Sequence, residues 1–159
     1  MMPAVSAEIS ETFTENVPRI GARVLEALTG AMSANMAREE GVIQGKLSGE
    51  VLKIGSGRLL GTVAVNPPAV TGDLIEGGVQ AGGPEAPWGV FQEYGTDGPY
   101  TIEAKVAKVL AFQVGGETVF ARRVTHPGLI ARSFMGSTAD ELREQEAEDY
   151  QAAVAAALA

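Results

Sequence analysis

The 159-residue chain contains no cysteine, which excludes disulfides, thiolate metal sites and cysteine nucleophiles. It has a single histidine, His126. Multi-histidine metal sites are thereby excluded, and any histidine acid/base chemistry has to run through this one ring. Aromatics make up only 6%. No apolar run approaches the roughly 20 residues that a membrane-crossing helix needs. The opening residues, MMPAVSAEISETF, lack a basic region followed by an apolar block and so do not read as a signal peptide. A phosphate loop is suggested by Gly55-Ser56-Gly57 before Arg58, but no Lys-Ser or Lys-Thr pair follows, and the spacing fails.

What is present is ordinary for a soluble globular protein: 45% hydrophobic and 20% charged residues, in a length that suits one domain with a real core. The net charge is −8. Residues 140–149 hold six acids against Arg143, or −5, which leaves −3 for the rest of the chain. This balance argues against a tight grip on phosphate backbones. It reads as a solvated acidic helix face, compatible with a surface past which nucleic acid slides. Acids on successive turns of one helix do not converge on a metal ion.

From Val5 to Gly41 the apolar residues recur at helical spacing: Val5, Ile9, Phe13 and Val17, then Ile20, Val24, Leu28, Met32 and Met36. The pattern predicts a long helix over about 5–41, kinked near Pro18 or restarted there with Asn16 as cap, and stopped at Gly41. Small-residue turns frame Glu50–Ile54, Thr62–Val65 is a strand closed by Asn66-Pro67-Pro68, and Val70–Gln80 reads as one strand with a bulge. Ala81–Pro87 is the loop densest in Gly and Pro and is expected to be mobile. Trp88–Tyr94 predicts a short helix stopped by Gly95, with Trp88, Phe91 and Tyr94 along one side. Phe91 and Tyr94 are read first as plugs for a sheet, and Trp88 fits a plug or a contact surface equally.

The stretch Lys105–Phe134 organises the rest. Two apolar runs, Val109–Val114 and Thr118–Val124, flank Gly115-Gly116, a pair suited to a tight hairpin because both positions tolerate φ > 0. The implied register faces Val114 with Glu117, Phe112 with Val119 and Leu110 with Ala121. Leu110, Phe112, Val114 and Val119 are expected to hold the domain together. The other face (Val109, Ala111, Phe120, Arg122) is half apolar and calls for a cover, either a helix of the same chain or a neighbouring subunit. Tyr100–Ala104 leads in as a strand. A final helix over about 134–158 follows, capped by Ser133 or Ser137, with Phe134, Leu142, Tyr150, Val154 and Leu158 on one face. Thr138 and Glu146 interrupt that face, so the last turns are expected to project or to pack on a partner. The fold class is α+β: a small antiparallel sheet with a central hairpin, packed by the long N-terminal helix and the C-terminal helix.

His126 with Thr125, Arg122 and Arg123 is the only group that can be drawn as an active site. It lacks a nearby orienting carboxylate or nucleophile, and His-Pro-Gly reads more simply as a turn. The chain is therefore expected not to be an enzyme and to need no cofactor or metal. Two other readings are a small hydrolase-like enzyme using His126 and a DNA-binding module using Arg122, Arg123 and Arg132.

Three segments, SGEVLKIGSGRLLGTV, APWGVFQEYGT and IEAKVAKVLAFQVGGETVFARRVTHPGLIARSF, together resemble the head–tail joining and tail-completion proteins of long-tailed bacteriophages. The matching positions are Gly57-Arg58-Leu59, Phe91 to Thr96, and His126-Pro127-Gly128 to Phe134. Ser133 departs from the proline that the family often carries there, and the Ala81–Pro87 loop is richer in Gly and Pro. The resemblance implies a virion structural protein of the tail or neck, assembled in the host cytoplasm. It implies a homo-oligomeric ring, with a hexamer as one candidate size, through whose lumen DNA passes without specific binding. The implied neighbours are the tail tube or tail terminator protein and the head connector or stopper proteins, with no membrane contact. Candidates for subunit or partner contact are Trp88, Phe91, Glu93, Tyr94, Val109, Phe120, Arg122, Arg123, His126, Tyr150, Val154 and Leu158.

Overall fold

The helical period of the N-terminal third is realised in α1 (Ala4–Gly45). The computed structural model describes residues 4–52 and 55–159, with side chains from Pro18 onward. The apolar stripe at Val5, Ile9, Phe13 and Val17 and the Asn16 cap therefore lie outside the described side chains, as does the end of the Glu50–Ile54 segment. Pro18 sits within the helix, where its missing N–H leaves one rung of the ladder open. Further along, Val24, Leu28 and Met32 are half-buried and Met36 is buried, while Ile20 is exposed. Gly41 does not end the helix. The chain stays helical to Gly45 because Ile43 is buried in the core just beyond it, which outweighs glycine's helix penalty of about 1 kcal/mol. The path then kinks through a π-helical turn, Lys46–Glu50, where Gly49 takes φ 135°.

At the other end of the chain, α3 (Phe134–Leu158) lies antiparallel along α1. Lys46 reaches Glu141 near one end of the seam (2.9 Å), and Arg38 reaches Asp149 further along (2.9 Å). Ala156 and Ala157 lie beside Arg23 and Ala27 at the far end. The last turns of α3 therefore do not project. Two residues that look like interruptions of its stripe belong to the interface. Thr138 is buried because its hydroxyl donates to the Phe134 carbonyl (2.7 Å), which removes the cost of an unmet donor. Glu146 lies half-buried against Glu39 of α1.

The strands form three separate antiparallel pairs instead of one sheet. Strands β1 (Ala64–Thr71) and β2 (Leu74–Gln80) are joined by a turn at Gly72, so the single bulged strand expected over 70–80 is a hairpin arm. β1 also runs through Pro67-Pro68, which a register shift between Asn66 and Ala69 absorbs. This pair packs on α1. After it come α2 (Gly89–Tyr94) and β3 (Tyr100–Glu103), which pairs with β6 (Arg123–His126). β4 (Leu110–Val114) and β5 (Glu117–Ala121) pair only with each other. The Ala81–Pro87 loop is pinned: Ala86 is fully buried and closes successive turns with Gly83 and Gly89.

The β4–β5 hairpin has the expected register, with Gly115 and Gly116 both at positive φ. Its role differs. The core lies elsewhere, where Ile43 and Leu47 of α1 and its following turn meet Phe134, with Leu59, Leu60, Val63 and Val79 around them. Val114 is more than half exposed and Phe112 only half-buried, so these residues do not hold the domain together. No described helix is long and apolar enough to cross a membrane. Truncating Phe134→Ala should cost about 3–5 kcal/mol of unfolding free energy, and Phe112→Ala about 1 kcal/mol or less. Denaturant titration of the two variants measures the difference, and equal losses would place the core in the hairpin after all.

Burial and the neighbouring Glu146 carboxylate raise the Glu39 pKa. Glu146 Oε1 is buried without a hydrogen-bond partner, and a proton held on the Glu39 carboxyl would relieve the pair. The folded state keeps that proton to higher pH than the unfolded chain does. Stability from this pair is thus present in acid and lost as pH rises through the raised Glu39 pKa. Compared with the parent, Glu39→Gln should lose less thermal stability between about pH 5 and pH 8. Identical pH profiles would show that no proton is shared.

Candidate functional site

The three sequence motifs, dispersed along the chain, meet in space. Glu93, on the last turn of α2, is 8% exposed. Its carboxylate accepts the backbone N–H groups of Met135 and Gly136, each at 2.9 Å. These are donors that the first turn of α3 cannot satisfy internally, and a negative group suits the positive end of that helix. Ser133 occupies the cap position, but in a left-handed conformation (φ 45°) and with no side-chain cap bond. Neither Ser133 nor Ser137 caps the helix; Ser137 accepts instead from Lys46 Nζ (3.0 Å). The helix is capped from outside by Glu93. Gly136 makes the approach possible, since a Cβ there would sit 2.8 Å from Ser133 Oγ and 3.4 Å from Glu93 Oε1.

The backbone repeats this connection. The N–H groups of Arg132 and Ser133 donate to the carbonyls of Gln92 and Glu93 (2.7 and 3.0 Å), and that of Thr96 donates to the Leu129 carbonyl (2.9 Å). The Leu129 N–H returns to Thr96 Oγ1 (2.9 Å). Gly98 passes so close to Pro127 that a Cβ would lie 2.1 Å from its carbonyl oxygen. The Gly57-Arg58-Leu59 turn packs on the same block: the Arg58 guanidinium stands 5.6 Å above the Trp88 ring, a favourable cation–π distance. A Cβ on Gly89 would come within 2.8 Å of Leu59 Cδ1.

His126 is occupied structurally. Its ring stacks on Tyr100 at 5.0 Å, and Nδ1 accepts the Gly128 N–H (3.1 Å). Among the described residues, no group of three or more His, Asp or Glu side chains is placed to hold a metal ion.

The sequence candidates separate into two sets. Glu93 is not a contact residue, because its carboxylate is used up inside the molecule. Tyr150 and Val154 are half-buried along the helical seam. The others face solvent or sit at the surface. Phe91 (51% exposed) and Tyr94 (77% exposed) are not plugs. The outer side of the short helix α2 presents them to solvent, together with Val90, beside an open cleft of about 560 Å³ lined by Gly83, Pro87 and Met135. Trp88 is partly covered by Arg58. Val109 (40%) and Phe120 (66%) are exposed on the hairpin, with Arg122 and Arg123 at its open end. Leu158 is exposed at the end of α3. The residues missed by sequence reading are Val90 and Val106, both exposed apolar side chains next to these surfaces. Val106 stands between Lys105 and Lys108, where no apolar period marks it.

The capping role of Glu93 predicts a large effect from a small change. Glu93→Gln keeps the shape and removes the charge, and should lower stability by about 1–3 kcal/mol; Glu93→Ala should cost at least as much. Chemical denaturation measures both, and a loss below a few tenths would show that the helix does not depend on this carboxylate.

Compared with protein-family models, curated proteins and solved structures, the chain matches none.

Proposed function

We propose that the chain is a structural subunit of a bacteriophage neck or tail end. It forms a ring that completes the tail and joins it to the head connector, with DNA passing through the lumen. The observation that carries this reading is the β4–β5 hairpin. It is apolar on both faces, and no helix of the chain packs over either face among the described residues. An uncovered two-stranded hairpin is marginal in water, and exposed apolar patches mark interaction surfaces. That no same-chain cover is in place among the described residues favours a neighbouring subunit. The convergence of the Gly57-Arg58-Leu59, Phe91–Thr96 and His126–Phe134 motifs on one rigid block supports a frame built to hold such an arm. In that block the histidine is held in a turn and the buried carboxylate caps a helix, which supports a structural role.

Acting in the tail or neck of the virion, the subunit would assemble in the host cytoplasm with the tail tube or terminator on one side and the head connector or stopper on the other. Its acidic balance lets DNA pass without being gripped. Mass measurement and electron microscopy of the purified chain, alone and with tail-tube partners, test the reading. Rings are expected, and a monomer under both conditions would overturn it. His126→Ala should leave assembly intact; loss of a turnover activity instead would revive the enzyme reading.

A further inference from the structure

The charge of the chain is divided between two exposed features. Residues 105–132 hold Lys105, Lys108, Arg122, Arg123 and Arg132, five of its twelve Lys and Arg. The first four flank the open end of the β4–β5 hairpin, where the Ala104 N–H donates to the Arg122 carbonyl (3.1 Å), while Arg132 lies beside α2. Among the described residues the only ion pair in this group is a long one, Arg123 to Glu103 at 3.8 Å. The complementary feature is the outer face of α3. Asp140, Glu144 and Glu148 follow one another at four-residue steps and are all exposed. Like charges at this spacing repel along a helix, and among the described residues only Asp140 has a partner, Arg143 (2.6 Å). Beyond the acids, the same side of α3 continues as small exposed apolar residues, Ala152 and Ala155.

We infer that the β4–β5 hairpin of one copy lies along the outer face of α3 of a second copy, its apolar side chains on the alanines and its basic end against the acidic row. This rests on the ring-subunit reading in requiring a second copy. Dimensions agree: the five residues of β4 span about 17 Å, and the helix rises about the same distance from Glu144 to Ala155. A two-fold pairing of the hairpins base to base would bring Arg122 and Arg123 of two copies together. Hairpin on α3 joins opposite charges and is head-to-tail, the class of contact that closes into rings. DNA is the other occupant that the basic residues would suit. It has no use for the exposed Val109, Val119 and Phe120 beside them.

Charge exchange tests the contact on the full chain, by light scattering and sedimentation. Arg122→Glu with Arg123→Glu in one variant, and Glu144→Arg with Glu148→Arg in another, should each weaken self-association at least tenfold. Mixing the two should restore it, because the acidic hairpin then meets the basic helix. Every substituted position is exposed, and thermal melting checks that each variant stays folded. Phe120→Ser should weaken association at any salt concentration, while the wild-type contact should weaken as salt rises. If wild type forms oligomers that neither charge variant disturbs, the hairpin–α3 contact is wrong and the ring reading stands. Unchanged oligomers with lost retention on DNA would assign the basic residues to nucleic acid. A wild type that remains monomeric at high concentration and with tail-tube partners overturns both.

Discussion

The Glu93 carboxylate is the joint on which this fold depends. It takes two unsatisfied N–H groups at the start of α3 and so fixes where that helix begins and which way it runs. The direction of α3 decides everything along the seam with α1. Lys46 meets Glu141, Glu39 meets Glu146 and Arg38 meets Asp149 only if the first turn is anchored where α2 places it. The core follows from the same anchor, because Phe134 is the first residue of the helix and the largest side chain at its centre. A carboxylate a little past the middle of the chain thus sets the geometry between its first and last helices.

This joint was only partly legible in the sequence. The long helix, the short helix closed by Gly95, the Gly-Gly hairpin with its register and the C-terminal helix all follow from periodicity and turn chemistry, which are local. What failed was non-local. Ser133 and Ser137 are good caps by local rules, yet Ser133 is drawn into a left-handed conformation and the capping oxygen comes from forty-odd residues away. Gly41 is a reasonable helix stop until Ile43 is seen to be buried. Tertiary burial and long-range hydrogen bonds leave no mark in a single sequence.

The candidate site shows the same limit from the other side. Three motifs stood out separately for their Gly, Pro and aromatic content, and nothing in the chain said that they touch. Glycines in and beside them are explained by contact: Gly98 lies under Pro127, Gly136 beside Ser133, and Gly89 against Leu59. The hairpin's register follows from its sequence. Its apolar side chains were then misassigned to the core, because alternation reports that a face is buried without saying against what. Phe91 and Tyr94 were misread for a related reason, since an aromatic side chain suits a core and an interface equally.

One backbone hydrogen bond, from Ala104 to Arg122, closes the base of the segment that carries β4 and β5. The two ends of that segment are neighbours, and the strands on either side of it, β3 and β6, pair with each other. The hairpin is therefore an excursion from a frame that is already complete without it. Loop closure depends only weakly on the length enclosed, so the arm can lengthen, shorten or change its sequence while Glu93, Phe134 and the helical seam stay as they are. The fold separates what must be kept to fold from what is free to vary with the surface it meets.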